Sequence, residues 1–421
     1  MAPAAIPDNH QLHVFLFPVM AQSLMIPMVD VARLFAARGL KSTIITTPLN
    51  AMSVSKSVER DRLSGLNINV QIIPFPGVEA GLPEGIECLN EITSPEMMPK
   101  FFRAMDMVQE PFEKLLEEHR PDFVVAGMFL TWATESTAKF DKIEMSTAQI
   151  PSHSESSNFV FEMQKKISEF EVNSKGILVN SFYELEPAYA EHYKIVLGRK
   201  AWHIGPISFL NEHAADKAQR GKKSAIDEQY VLKWLDSKEP NSVLYVCFGS
   251  VSRVNDNQLL ELAMGLESSG FEERVKGRGL IIRDWAPQLL ILDHQAVGGF
   301  MTHCGWNSLL ESISAGVLMI TWPMFTDQFY NEIFITQVIK IGTLLGPKEH
   351  NWLDSKNVSL VKNDKIEMVV SWLMGDGEDA KNMRKRAKEI SEMAKKSVEE
   401  GGSSYADLTS LIEEMRIYTK K

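Results

Sequence analysis

The sequence predicts an α/β protein made of two halves, each a parallel sheet covered by helices. Three observations carry that prediction. At 421 residues the chain is roughly twice the length at which a single hydrophobic core stops growing. Several short runs are almost wholly apolar, as in strands buried on both faces. Segments of helical period stand between those runs, the rhythm of βαβ units. The 44% hydrophobic and 24% charged residues exclude a disordered or collagen-like chain.

Residues 13–17, His-Val-Phe-Leu-Phe, form the first predicted strand. Pro27 stands where a helix could begin. Met28, Val31, Leu34 and Phe35 continue at helical spacing, and Gly39 falls just past the helix end. Residues 42–47 are β-branched and read as the next strand, 112–118 as a helix and 123–126 as another central strand. The second half repeats the pattern. Residues 243–248 form a strand ending in Gly249-Ser250, and Leu259, Leu260, Ala263 and Leu266 mark the helix after it. Residues 280–282, 299–301 and 318–320 are further predicted strands. The polar segment 211–224, with Arg220, Gly221, Lys222 and Lys223, is the predicted joint between the halves. Residues 379–400 read as a solvated helix face rich in i,i+4 charge pairs, with phosphate binding by Lys381, Arg384 and Lys385 the lesser reading.

Lys+Arg 44 against Asp+Glu 55 leaves a net charge of −11, so nucleic acid is not an expected partner. Cys88, Cys247 and Cys304 are too few and too scattered for a disulfide framework or a cysteine zinc site. No apolar run approaches the ~18 residues of a membrane span, so no stable membrane insertion is expected. The first eleven residues hold Pro, Asp and His where a signal peptide needs an apolar stretch, and a cytoplasmic address is expected. No G-x-G-x-x-G follows a predicted strand, which argues against a nicotinamide enzyme.

The chemistry concentrates in residues 285–328. In an open α/β sheet the ligand crevice lies at the carboxyl ends of the strands. Trp285, after the predicted strand 280–282, suits stacking on a flat heterocycle, or else it merely closes the domain. His303-Cys304-Gly305-Trp306-Asn307-Ser308 runs into a helix predicted to start near Asn307, and a helix N-terminus is suited to phosphate. Asn307 or Ser308 as a plain N-cap is the alternative there. Glu311, one turn into that helix, suits a ribose diol, and Asp327-Gln328 suits vicinal sugar hydroxyls. A His-based metal site is not expected here, because no second ligand cluster lies nearby.

Residues 285–328 resemble the signature box of the plant family 1 UDP-glycosyltransferases, carried by Trp285-Ala286-Pro287-Gln288, the 303–308 run, Glu311 and Asp327-Gln328. Trp234-Leu235-Asp236-Ser237, Phe248-Gly249-Ser250 and residues 17–37 extend the likeness. The resemblance implies two Rossmann-like domains facing each other across a cleft, the GT-B architecture. The acceptor domain would span 1–215 and the UDP-sugar domain 225–405, with a final helix in 406–421 packing back on the first. It implies an inverting transfer of glucose from UDP-glucose to a small hydrophobic acceptor (phenolic, flavonoid, indolic or terpenoid), giving a β-glucoside, with no metal and a monomeric protein. Trp285 would stack on uracil while the Ala286 backbone reads its edge. Gln288 and Glu311 would hold the ribose, and Ser250, His303, Asn307 and Ser308 the diphosphate. Trp306, Asp327 and Gln328 would face the sugar, a terminal Gln being associated with glucose donors. Met20, Phe75, Glu84, Phe129 and Trp132 would border the acceptor.

The chain departs from that family where the proton is taken. Family members use a His oriented by an Asp. Leu24 stands at the His position, in Ala21-Gln22-Ser23-Leu24-Met25-Ile26-Pro27, and Gly127 at the Asp position. Three readings follow: an acceptor acidic enough to need little help, a substitute carboxylate (Glu84, Asp122 or Glu135), or a UDP-sugar binder with impaired catalysis. The chain is also shorter than the family pattern. Abrupt joins fall at Phe140-Asp141 and at Gly270-Phe271, where a further strand is expected.

Overall fold

The computed structural model describes residues 10–138, 144–148, 158–211, 216–217, 220–222, 224–251, 254–268, 279–324, 327–346 and 360–419. Both joins lie outside these residues, as does part of the segment 211–224. The chain divides into two compact units, Met1–Leu210 with Lys396–Lys421, and Asn211–Lys395. Among the described residues no helix is long and apolar enough to cross a membrane. No group of three or more His, Cys, Asp or Glu side chains among them is placed to hold a metal ion.

The apolar runs of the first unit become β1 (His13–Phe17), β2 (Lys41–Thr46), β3 (Ile68–Ile72), β4 (Phe123–Gly127), β5 (Glu144–Ala148), β6 (Ile177–Val179) and β7 (Ala201–His203). They pair in the order β3-β2-β1-β4-β5-β6-β7, every ladder parallel. The strand order reverses between β1 and β4, where Phe17 lies beside Ala126. Such a switch point opens a crevice at the carboxyl ends of its strands. Phe15, Leu16, Phe17, Phe35, Phe101 and Phe112 are fully buried around it.

The first helix spans Gln22–Ala37, so it starts before Pro27, which lies inside it. Two features explain the difference. The N-cap Ala21 has no capping side chain, and Asn90 Oδ1 accepts the Gln22 N–H at 2.8 Å from a neighbouring loop. Pro27 forfeits one helical hydrogen bond, which burial of Met25, Met28, Val29, Val31 and Phe35 offsets. Gly39 ends the turn with φ +83°, as its position predicts.

The last helix, Ser403–Thr419, packs against β7 within the first unit. Leu408, Leu411, Ile412 and Met415 enter the core of that unit. Asp407 Oδ2 accepts the His203 N–H at 2.8 Å, and Ser404 Oγ donates to the Gly205 carbonyl at 2.6 Å.

The second unit holds β8 (Val243–Cys247), β9 (Val297–Thr302), β10 (Leu318–Thr321) and β11 (Gly342–Leu344), parallel and in the order β11-β10-β9-β8. Gly298 is the extra residue where the β8–β9 register shifts, and a Cβ there would stand 2.5 Å from the Asn241 carbonyl oxygen. Residues 280–282 do not form the predicted strand. Ile281 is 80% exposed, and β8 is the edge of the sheet among the described residues. Three apolar residues make no strand without a ladder partner. Arg384 is occupied structurally: Nη2 donates to the carbonyls of Leu373 and Gly375 at 2.8 and 2.9 Å, closing the Asn363–Met374 helix. Lys381 is exposed, and Lys385 faces Glu389 one turn on at 3.9 Å, so the solvated-face reading of this helix holds.

Candidate active site

The second unit gathers its predicted residues at the carboxyl ends of β8, β9 and β10. β9 ends at Thr302, and the following helix spans Trp306–Ala315 with Gly305 as its N-cap. Neither Asn307 nor Ser308 is therefore the N-cap, because the helix starts one residue earlier than the spacing suggests. The turn between strand and helix is tight enough to hold Cys304 at φ +65°, a conformation costing a non-glycine residue about 1–3 kcal/mol. Asn331 Nδ2 holds it by donating to the Cys304 carbonyl at 2.9 Å and to Asp327 Oδ2 at 2.8 Å. One amide thus ties Asp327 to the His303–Ser308 run.

His303 is wedged between two glycines. A Cβ at Gly249, whose φ is +79°, or at Gly305 would stand 2.5 Å from His303 Nε2. Burial pushes the imidazole pKa down to about 4 against an opposing interaction with the Cys247 carbonyl, so the ring is neutral at pH 7. Its Nδ1 is buried with no hydrogen-bond partner among the described residues. A neutral ring has one N–H, so beside this helix N-terminus it can take an anionic oxygen only when that N–H turns from the Cys247 carbonyl.

Trp285 and Ala286 lie in a loop, half-buried, and Pro287 leads into the Gln288–Leu292 helix. Gln288 Nε2 donates to Ser308 Oγ at 3.1 Å and to Glu311 Oε2 at 2.7 Å, which joins the loop to the Trp306–Ala315 helix. Glu311 is 4% exposed, and its Oε1 is paired with Arg220. The Trp285 indole Nε1 is buried without a partner among the described residues. Asp327 is the N-cap of the Gln328–Ile333 helix. Gln328 is 4% exposed, and its carbonyl accepts the Met324 N–H at 2.8 Å. The Trp306 ring lies 6.0 Å from Phe334, and Ser250 is exposed directly after Gly249. Arg220 and Asn331 are the site residues that sequence reading missed. Asn331 sits one turn beyond Asp327, a spacing from which it could have been found; Arg220 had only its place in a polar joint.

In the first unit Leu24 and Gly127 flank the switch point. Leu24 is the third residue of the helix after β1, half-buried against the core, and Gly127 is the last residue of β4. Gly127 leaves no room for a side chain, since a Cβ would meet Val19 Cγ2 at 2.8 Å and Val19 N at 2.9 Å. The substitutes fare differently. Asp122 precedes β4 and accepts the His13 N–H at 2.7 Å and His10 Nε2 at 3.0 Å. It therefore sits at the amino ends of the strands, a whole strand length from the crevice, and is no substitute. Glu135 is exposed on the Ala133–Ala138 helix and Glu84 on a turn. Phe75, Phe101, Phe102 and Phe129 form a chain of ring contacts at 5.6–5.9 Å, and Trp132 packs on Phe17 and Phe112.

Two parallel Rossmann-like sheets of this kind are those of the GT-B fold. The structure superposes on a Glycyrrhiza uralensis glycosyltransferase solved with glycyrrhetinic acid 3-O-monoglucuronide at TM-score 0.90 and 36% identity, over 97% of this chain and 96% of that one. An Arabidopsis thaliana glycosyltransferase solved with UDP gives TM-score 0.79 and 30% identity, over 96% and 100%. Residues 156–345 match the family model described as UDP-glucoronosyl and UDP-glucosyl transferase. Scopoletin glucosyltransferase of Nicotiana tabacum is 45% identical over 474 aligned positions, 97% of this chain and 99% of the relative. A flavonoid 3-O-glucosyltransferase of Fragaria ananassa is 43% identical, covering 96% of each. The chain belongs to the plant family 1 UDP-glycosyltransferases.

Proposed function

We propose that the protein transfers glucose from UDP-glucose to a hydroxyl of a small phenolic acceptor, inverting the anomeric carbon to a β-glucoside without a metal. The observation that carries this reading is the assembled group around the Trp306–Ala315 helix: Gln288, Ser308 and Glu311 bonded together, with His303 held between Gly249 and Gly305. Trp285 and Ala286 take the uracil, and Gln288 and Glu311 the ribose. Ser250, His303, Asn307 and Ser308 take the diphosphate, while Trp306, Asp327 and Gln328 take the sugar. The acceptor oxygen attacks the anomeric carbon as its bond to UDP breaks. Helix N–H groups and the neutral His303 stabilise the leaving diphosphate.

The acceptor class follows from the proton. Leu24 cannot accept one and Gly127 carries no carboxylate, so the attacking hydroxyl ionises with little help. A phenol, with a pKa of about 10, is suited to that. The relatives named for scopoletin, flavonoids and anthocyanin support this class. A phenol and alcohol panel with UDP-glucose, with products weighed by mass spectrometry, tests the reading: phenols should be glucosylated and alcohols not. Leu24→His should raise the rate on alcohols by about 10²-fold, the lower end of what a general base supplies. UDP-glucose binding without turnover of any phenol would instead establish the impaired binder, which the paired loss at Leu24 and Gly127 favours.

A further inference from the structure

Resting on the reading of Asp327 as a sugar contact, we propose that Asn331 is a positioning residue for the transferred glucose, holding the Asp327 carboxylate where it meets the sugar hydroxyls. Asp327 occupies the N-cap position of the Gln328–Ile333 helix, yet its side chain makes no capping hydrogen bond. Aspartate is among the strongest capping residues, and its usual bond goes to an N–H two or three residues on. Here Oδ2 is drawn instead to Asn331 Nδ2 at 2.8 Å, one helical turn on. The carboxylate is half-buried, with surface left for a ligand.

Asn331 is itself fixed from two sides. Its backbone N–H donates to the Asp327 carbonyl at 2.9 Å, so the helix sets the spacing of the two side chains. Its amide meets two acceptors, Asp327 Oδ2 and the Cys304 carbonyl at 2.9 Å, one for each proton. A carboxylate and a carbonyl only accept, so the partners determine which end of the amide is nitrogen. Cys304 is fully buried in the turn after β9, so this second anchor is packed backbone and does not swing with the carboxylate. An aspartate side chain has two rotatable bonds, and a displacement of about 1 Å at a substrate contact can cost ~10²-fold in rate. The amide removes that freedom from Asp327.

The rival role is a structural tie between helix and turn, and calorimetry on the full chain with UDP and with UDP-glucose separates the two. The ratio of the two Kd values isolates what the sugar adds. Asn331→Leu, similar in size and without donors, should weaken UDP-glucose relative to UDP by about tenfold, the effect of one hydrogen bond to a charged group. UDP affinity itself should stay nearly unchanged. Asp327→Ala should lower the same ratio, and adding Asn331→Leu to it should change the ratio by no more than about twofold. Should Asn331→Leu not fold, Asn331→Ser, too short to reach both acceptors, carries the same comparison. A ratio unmoved by the Asn331 change, equal losses for UDP and UDP-glucose, or full additivity in the double variant would overturn the positioning role alone. A ratio unmoved by Asp327→Ala would overturn the sugar contact and the positioning role together. Absence of UDP binding by wild type would overturn the nucleotide site with both.

Discussion

At the scale of single residues, glycines decide whether the proposed diphosphate contact can exist. Gly249 combines φ +79° with a backbone pressed against His303 Nε2. Gly249→Ala should therefore cost about 1–3 kcal/mol from backbone strain before any displacement of the imidazole. The expected outcome is a lower urea midpoint together with at least a tenfold loss of UDP affinity. Unchanged binding would remove His303 from the diphosphate site. Gly249 and Gly305 were visible in the sequence as neighbours of catalytic-looking residues. Their service to His303 was not: Gly249 meets the ring because β8 and β9 are adjacent strands, and Gly305 because the turn at Cys304 has a positive φ. Arg220 was less legible still: 91 positions separate it from Glu311, and a polar joint gives no sign of which cation folds back onto a carboxylate.

At the scale of elements, the apolar runs located β1, β2, β4, β8, β9 and β10, missed β5 and β6, and placed a strand at 280–282 where none forms. β9 and β10 were legible because both faces are buried, whereas residues 280–282 have the same composition and no ladder. Pro27 misled for a related reason, since a loop contact from Asn90 set the helix start and no local signal encodes it. The β9-to-helix junction carries a pH prediction. His303 has a folded pKa of about 4, below its ordinary 6.5, because burial disfavours the charged ring. Between those two values the unfolded chain binds the proton and the folded one does not, so stability is present above pH 6.5 and is lost as the pH falls towards 4. The ceiling is roughly 3 kcal/mol. His13 in β1, also lowered to about 4 by burial first and then by Lys41, His119 and His10, adds the same sign in the first unit. Urea midpoints at pH 7 and 4.5 should differ accordingly, and His303→Gln should flatten only the share belonging to the second unit.

At the scale of the whole molecule, family membership and the α/β class were legible because signature residues cluster at strand ends, while the acceptor is set by loop shapes that no motif encodes. The final helix sets the prediction here. Leu408, Leu411, Ile412 and Met415 each contribute roughly 1.5–3 kcal/mol of burial to the first core. Their sum is comparable with the entire stability of a typical domain. Ending the chain at Ser397 should leave the first unit protease-sensitive and the protein insoluble, whereas the single change Leu411→Ala should lower the melting temperature of a still-folded protein. The placement of Lys396–Lys421 in the first unit also orders events during synthesis. A ribosome makes Met1–Leu210 before Asn211–Lys395, yet the earlier half cannot close its own interior until the codons for Ser403–Thr419 are read. Its nascent form must wait, partly open, through translation of everything between.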